Sequence, residues 1–111
     1  MSIKIERINS NIQKEISYII ANEVKNPNVK FVTITAVDTT NDLSYAKIYF
    51  TTLDDKVETL KALKSAKGYI KRELGNRVDI RSIPELEFIY DESIEYGSRI
   101  EQKIKEIHDK E

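Results

Sequence analysis

The spacing of apolar residues changes along this 111-residue chain, and these changes restrict its fold more than any single motif does. Between residues 3 and 25 the apolar side chains recur every three or four positions, which is the spacing of one helical face. This stripe consists of Ile5, Ile8, Ile12, Ile16, Ile19, Ile20 and Val24. Because proline disfavours helical geometry in the residue before it, Asn26-Pro27 is predicted to end the helix.

Two strands are predicted next, because the helical spacing gives way to runs of β-branched and aromatic residues. The runs cover residues 30–37 and 45–51, with turn-forming residues 39–42 between them. A short turn between two strands predicts an antiparallel hairpin.

Helical spacing returns after Leu53-Asp54-Asp55, a run that offers an N-cap. The apolar residues fall into two sets, which are Val57, Leu60 and Leu63, then Ile70, Leu74 and Val78. These sets predict two short helices joined at residues 65–68, with the sequence Ser-Ala-Lys-Gly. Gly75 either ends the second helix early or lies inside it at a cost of about 1 kcal/mol relative to alanine.

A third strand and a last helix complete the predicted fold. The strand covers residues 85–90 after Pro84, and residues 91–93 supply capping groups for the helix. The apolar stripe of this helix is Ile94, Gly97, Ile100, Ile104 and Ile107, and residues 108–111 are predicted to fray. The order α-β-β-α-α-β-α predicts a single two-layer α+β domain over residues 1–111.

The composition argues against several classes of function. The chain has no cysteine, so disulfides and thiolate metal sites are excluded. No apolar run is long enough to cross a bilayer, and the N-terminus lacks the apolar stretch of a secretory signal. We therefore expect a cytoplasmic protein with no membrane role.

Catalytic groups are also sparse. The single histidine, His108, lies three residues from the C-terminus, and no glycine-rich phosphate loop is present. Glu85 and Glu87 alternate as a solvated strand face would. We expect no catalytic residue, metal, cofactor or small-molecule substrate.

Positive charge is concentrated in one segment. Residues 61–84 carry seven basic and two acidic side chains, a net charge of +5, in a chain with a net charge of −1. Lys64, Lys67 and Lys71 would line one side if the two helices are nearly collinear. This surface is either a solvated face or a nucleic-acid contact. The second interpretation is favoured because small residues let phosphate approach the N-terminus of a helix at the joint.

The order of elements and the small joint resemble the type II KH fold, a single-stranded RNA-binding domain in which a GxxG loop clamps the RNA backbone. Residues 65–68 lack the first glycine of that loop. Ala66-Lys67-Gly68 instead resembles the Ala-x-Gly kink of the ribosome-binding factor A family. Residues 81–100 resemble that family's signature, R-x-x-P-E-L-x-F-x-x-D followed by a serine, a glycine and R-I. The resemblance extends over essentially the whole chain.

This resemblance implies a monomeric, non-enzymatic assembly factor of the small (30S) ribosomal subunit. Such proteins bind the free, immature subunit and assist late maturation of its rRNA, including the 5′ region, especially in the cold. The implied kink is set by Ala66 and Gly68. The full set of expected RNA-binding residues is Lys64, Ala66, Lys67, Gly68, Lys71, Arg72, Arg77 and Arg81.

Two other functions remain open from the sequence. The chain could be a KH-like module for other RNAs, in which Tyr45 and Tyr49 stack on bases or simply pack within the sheet. It could also be a protein-interaction domain that uses its acidic C-terminal helix or the edge of the hairpin.

Overall fold

The structure is a computed structural model that describes residues 3–93. Helix α1 is Ile3–Asn22, a 3-10 turn is Pro27–Val29, and strands β1 and β2 are Val32–Thr39 and Tyr45–Thr52. Helix α2 is Lys56–Arg77, and strand β3 is Glu85–Tyr90. The predicted α+β class, the hairpin and the bounds of the third strand are confirmed.

The three strands form one sheet in the order β1-β2-β3. Strands β1 and β2 are antiparallel, with a bulge in the register between Ile34 and Ala36. Strand β3 runs parallel to β2, with Tyr45 opposite Glu85 and Phe50 opposite Tyr90. Parallel neighbours need a crossover connection, and α2 supplies it. The crossover places α2 beside β3.

The core lies between the two helices and one face of the sheet. The apolar stripe of α1 is buried, as are Ile48 and Phe50 of β2 and Leu86 and Phe88 of β3. Polar side chains of α1 attach the helix to β1. The amide of Gln13 donates to the carbonyl of Ile34 at 3.1 Å, and the side-chain oxygen of Asn9 accepts from the backbone N–H of Thr39.

The prediction of two helices joined at residues 65–68 is wrong, because α2 is one uninterrupted α-helix. Its buried face continues through the expected joint as Thr59, Leu63, Ala66, Ile70 and Leu74, of which Ala66 is partly buried. These residues are three or four positions apart, so one helical face packs on the core along the whole length. Gly75 lies inside the helix.

The first helix ends at Asn22, three residues before the predicted end, and β1 begins two residues later than predicted. Asn26 instead caps the 3-10 turn, where its side chain accepts from the backbone N–H of Asn28 at 2.9 Å. Pro27 occupies the first turn position, where its missing N–H costs no hydrogen bond. The asparagine and proline therefore start a new turn and do not stop the helix directly.

The backbone is helical at Glu92 and Ser93, and the Asp91 carboxylate accepts from the backbone N–H of Ser93 at 3.1 Å. The remainder of the predicted last helix, its apolar stripe and its tail lie outside the described residues. Within residues 3–93, neither helix is both long and apolar enough to cross a membrane.

Candidate nucleic-acid interface

Helix α2 is fixed at its start by the predicted N-cap. The Asp55 carboxylate accepts from the backbone N–H groups of Val57 and Glu58, at 2.9 and 3.0 Å. These bonds satisfy two of the four N–H groups that a helix leaves without partners at its start. The helix is also held by its buried face, so its outer face presents side chains from a fixed backbone.

Three lysines form a row on this helix, which we call the basic row: Lys64, Lys67 and Lys71. Because α2 is continuous, their spacing of three and four residues places them on one side, as the sequence predicted for collinear helices. Lys64 and Lys67 also line a groove of about 390 Å³ between α2 and β3. The other residues lining this groove are Tyr45, Leu60, Glu85, Leu86, Glu87 and Phe88.

One carboxylate bridges two members of the basic row. Glu85 lies at the start of β3, with one oxygen 3.4 Å from the Lys67 Nζ and the other 3.1 Å from the Lys71 Nζ. The hydrogen bond and charge of Lys71, followed by those of Lys67, hold the pKa of the Glu85 carboxyl below its usual value. Glu85 is exposed, as predicted for a solvated strand face, but it is also paired with two lysines of α2.

Ala66 and Gly68 lie within the helix, where a kink was expected. Gly68 does not have a positive φ, and a Cβ added to it would meet nothing within 4 Å among the described residues. Glycine is therefore required here neither by the backbone conformation nor by packing within that part of the chain. The surface beside the basic row is open enough for another molecule to approach the helix backbone.

Continuity of the helix changes the expected anion site. The sequence predicted accessible backbone N–H groups at the start of a second helix near residue 68. Inside an α-helix, each backbone N–H bonds the carbonyl four residues earlier. No helix begins at that position, so anion binding there must depend on side-chain cations.

Arg77 is in a different environment from the basic row. Its guanidinium lies 2.6 Å from a Glu23 oxygen and 2.9 Å from a Glu73 oxygen, and only 25% of the Arg77 side chain is exposed. Hydrogen bonds from Arg77 and then from Tyr69 lower the pKa of Glu23. Arg77 thus connects the end of α1 to the end of α2, and its charge already has two partners.

The last two predicted cations, Arg72 and Arg81, are both more exposed than Arg77. Arg72 is exposed, with its guanidinium carbon 5.9 Å from the centre of the Tyr69 ring. Arg81 is exposed and lines a separate hollow with Lys4, Arg7 and Asp79. Thus Lys64, Lys67 and Lys71 come together, and Arg72 is their neighbour on the same helix. Arg77 pairs with Glu23 and Glu73, and Arg81 lines the separate hollow.

The structure adds residues that sequence reasoning did not assign to the site. Glu85 joins it through the parallel pairing of β3 with β2, and Leu60 joins it as a groove residue. Tyr45, which the sequence offered as a base-stacking candidate, lines the same groove. The sequence contained a signal for Leu60, which is four residues before Lys64. It contained none for Glu85, because a contact across 14 to 18 residues depends on the strand register.

Within residues 3–93, no cluster of three or more His, Cys, Asp or Glu residues could hold a metal ion.

Comparisons with known proteins agree with the predicted family. The family model for ribosome-binding factor A matches residues 4–104. Ribosome-binding factor A of Staphylococcus carnosus (strain TM300) is 50% identical over 112 aligned positions, which cover 98% of this chain and 97% of the relative.

Two known structures are similar in fold, each with 23% sequence identity. The crystal structure of ribosome-binding factor A from Thermus thermophilus has a TM-score of 0.73 and covers 78% of this chain and 94% of that one. A homology model of the Thermus thermophilus factor, fitted into a cryo-EM map of a 30S–RbfA complex, has a TM-score of 0.62. It covers 81% of this chain and 93% of that one.

Proposed function

Because this chain belongs to the ribosome-binding factor A family, we propose that it binds the small ribosomal subunit through the basic row of α2. The observation that carries the proposal is the alignment of Lys64, Lys67 and Lys71 along one continuous helix, beside the open surface at Gly68. The related Thermus thermophilus factor was fitted into a map of a 30S complex, which supports the same class of partner.

The chemistry of the basic row suits a phosphate backbone. Lysine ammonium groups neutralise phosphates and release condensed counterions, which makes the affinity depend steeply on salt. Phosphate contacts fix position and carry no sequence information directly. The row therefore recognises the shape in which rRNA presents its backbone, in a KH-like manner. Tyr45 is half-buried at the groove and offers one aromatic ring to a base that reaches it.

The family implies a finer role, which we include in the proposal. The chain acts as a non-enzymatic monomer, with residues 1–111 as one domain. It binds the free, immature subunit and assists late maturation of the small-subunit rRNA, including its 5′ region, with most importance in the cold. Depletion of the protein from cells should then raise the level of small-subunit rRNA with unprocessed 5′ ends, most strongly at low temperature. Normal processing in cold, depleted cells would contradict this role.

The proposed site is tested by neutralising the basic row. The triple variant Lys64→Gln, Lys67→Gln, Lys71→Gln should no longer cosediment with purified free 30S subunits. Glutamine removes the positive charge, keeps a flexible polar side chain and avoids placing new carboxylates against Glu85. Thermal unfolding of the variant should remain close to that of the wild type, because exposed ion pairs contribute little to stability.

The matched control removes three exposed lysines elsewhere: Lys14, Lys25 and Lys47. Their replacement by glutamine changes the net charge equally, so it should weaken binding only slightly. If the two triple variants lose the same affinity, the site assignment is wrong and the overall charge alone matters.

Crosslinks spread over messenger RNAs would indicate a general RNA-binding module. A protein partner insensitive to ribonuclease and to the triple variant would indicate a protein-interaction domain.

A further inference from the structure

The carboxylate of Glu85 lies where the proposed function requires an RNA phosphate. Each of its oxygens pairs with one lysine of the basic row, at 3.4 Å from the Lys67 Nζ and 3.1 Å from the Lys71 Nζ. A backbone phosphate also presents two unesterified oxygens that can bridge two ammonium groups. The protein thus contains its own anion at the centre of a surface that would bind anions.

The backbone of Glu85 is held firmly, whereas its side chain is accessible. Pro84 before it is buried, and the Glu85 backbone N–H donates to the carbonyl of Ser44 at 3.0 Å. The Glu85 side chain is 55% exposed, and those of Lys67 and Lys71 are 35% and 41% exposed. Water and solutes can reach both ion pairs, and exposed pairs of this kind exchange partners at little cost.

The carboxylate and an incoming phosphate compete for the same charge. Each ammonium has three donors, so a lysine can contact both anions. The two anions nevertheless repel each other at contact distance, and this repulsion lowers the affinity while Glu85 stays in place. The repulsion between the carboxylate and the phosphate is removed if the Glu85 side chain turns away into the solvent.

We propose that Glu85 is an intramolecular competitor of RNA phosphate, which occupies Lys67 and Lys71 until a bound backbone displaces it. This inference rests on the proposed function and identifies a specificity-determining residue for it. An RNA that brings a phosphate to both lysines displaces the carboxylate fully, whereas one that reaches a single lysine must bind beside it. Glu85 therefore disfavours loosely placed RNA more than RNA of the correct shape.

The test uses the full chain, purified free 30S subunits and binding measured at several salt concentrations. Glu85→Gln should tighten binding by about three- to tenfold. RNA then no longer has to displace the two exposed ion pairs of Glu85, and such pairs are weak. Glu87→Gln is the matched control, since it removes the same charge two residues further along the same strand. No ion pair of Glu87 is present among the described residues, so its effect should be smaller.

A second arm asks whether the effect passes through the two lysines. When Lys67 and Lys71 are both glutamine, adding Glu85→Gln should change the affinity little. In the wild-type protein, the NMR signal of the Glu85 carboxyl carbon should move when a single-stranded RNA oligonucleotide is added. This measurement reports displacement directly and does not depend on the folding of any variant.

Several outcomes overturn the proposal. Unchanged or weaker binding of Glu85→Gln would show that the carboxylate only positions the lysines or has no role. Equal gains from Glu85→Gln and Glu87→Gln would show a general effect of charge. If wild-type protein fails to bind free 30S subunits, the proposed function is wrong and the role of Glu85 falls with it. Binding by the wild type without a Glu85 effect contradicts only the inference.

Discussion

Replacing Gly68 by alanine separates the contribution of this residue to stability from its contribution to binding. Gly68 lies within α2, without a positive φ and without any described atom within 4 Å of an added Cβ. Glycine inside a helix costs roughly 0.5–1 kcal/mol relative to alanine, chiefly through backbone entropy. Gly68→Ala should therefore raise the free energy of unfolding by about 0.5–1 kcal/mol. For a domain near 100 residues, this corresponds to a rise in Tm of about 2–8 °C.

The stability effect is measured by urea denaturation followed with far-UV circular dichroism. Gly75→Ala is the matched control in the same helix, where the new Cβ would lie 3.7 Å from the Ile83 Cγ1, an ordinary contact distance. Both variants should be more stable than the wild type. If Gly68→Ala destabilises the protein while Gly75→Ala stabilises it, residues 65–68 require glycine geometry and the continuous helix is wrong.

Binding should respond in the opposite direction. If an RNA backbone approaches the helix at Gly68, the added methyl group blocks that approach. The affinity for free 30S subunits should then fall by about tenfold, equivalent to roughly 1.4 kcal/mol. Gly75→Ala should bind as the wild type does. A Gly68→Ala protein with increased stability and unchanged affinity would refute the close approach.

Two further predictions concern residues outside the basic row. Arg77→Met removes the guanidinium that Glu23 and Glu73 share, so the Tm should fall while the protein still cosediments with free 30S subunits. Loss of binding at an unchanged Tm would instead show that Arg77 belongs to the RNA-binding surface. Hydrogen bonds from Thr40 and then Ser44 lower the pKa of Asp42 from 3.8 to about 2. The wild type should therefore have a higher free energy of unfolding than Asp42→Asn, by an amount that is complete above pH 3.8 and disappears as the pH falls through about 2. Urea denaturation of both proteins at each pH measures this difference. An advantage independent of pH would contradict this cause.

The strands and the first helix could be predicted because their side-chain patterns are local. Residues of β3 alternate between buried and exposed from Glu85 to Phe88, and Pro84 marks the beginning of this strand. The stripe of α1 consists entirely of large aliphatic residues, so its spacing was visible. The break in α2 was predicted wrongly because its buried face passes through Ala66, between Leu63 and Ile70. Alanine is not a large hydrophobe, so the run of large apolar residues is interrupted there although the helix is not.

The candidate site was predictable only in part, for a related reason. The basic row depends on positions within one helix, and helical spacing can be read directly from the sequence. The partners of its charges cannot, because they depend on how distant segments pack. Glu23 lies 54 residues from Arg77, and Glu85 meets Lys67 and Lys71 only through the crossover to β3. The local net charge of +5 therefore overstates the cations available, since Arg77, Lys67 and Lys71 already have carboxylate partners.

The continuity of α2 also changes how an anion can be bound. Without a second helix N-terminus at residues 65–68, backbone N–H groups in this region are committed to the helix itself. Phosphate binding must then come from the ammonium groups of Lys64, Lys67 and Lys71, with Gly68 providing space. Each lysine neutralised in the triple variant should reduce the slope of log affinity against log salt by about 0.7 for single-stranded RNA. A helix N-terminus would retain part of the affinity in that variant, whereas a side-chain site retains almost none.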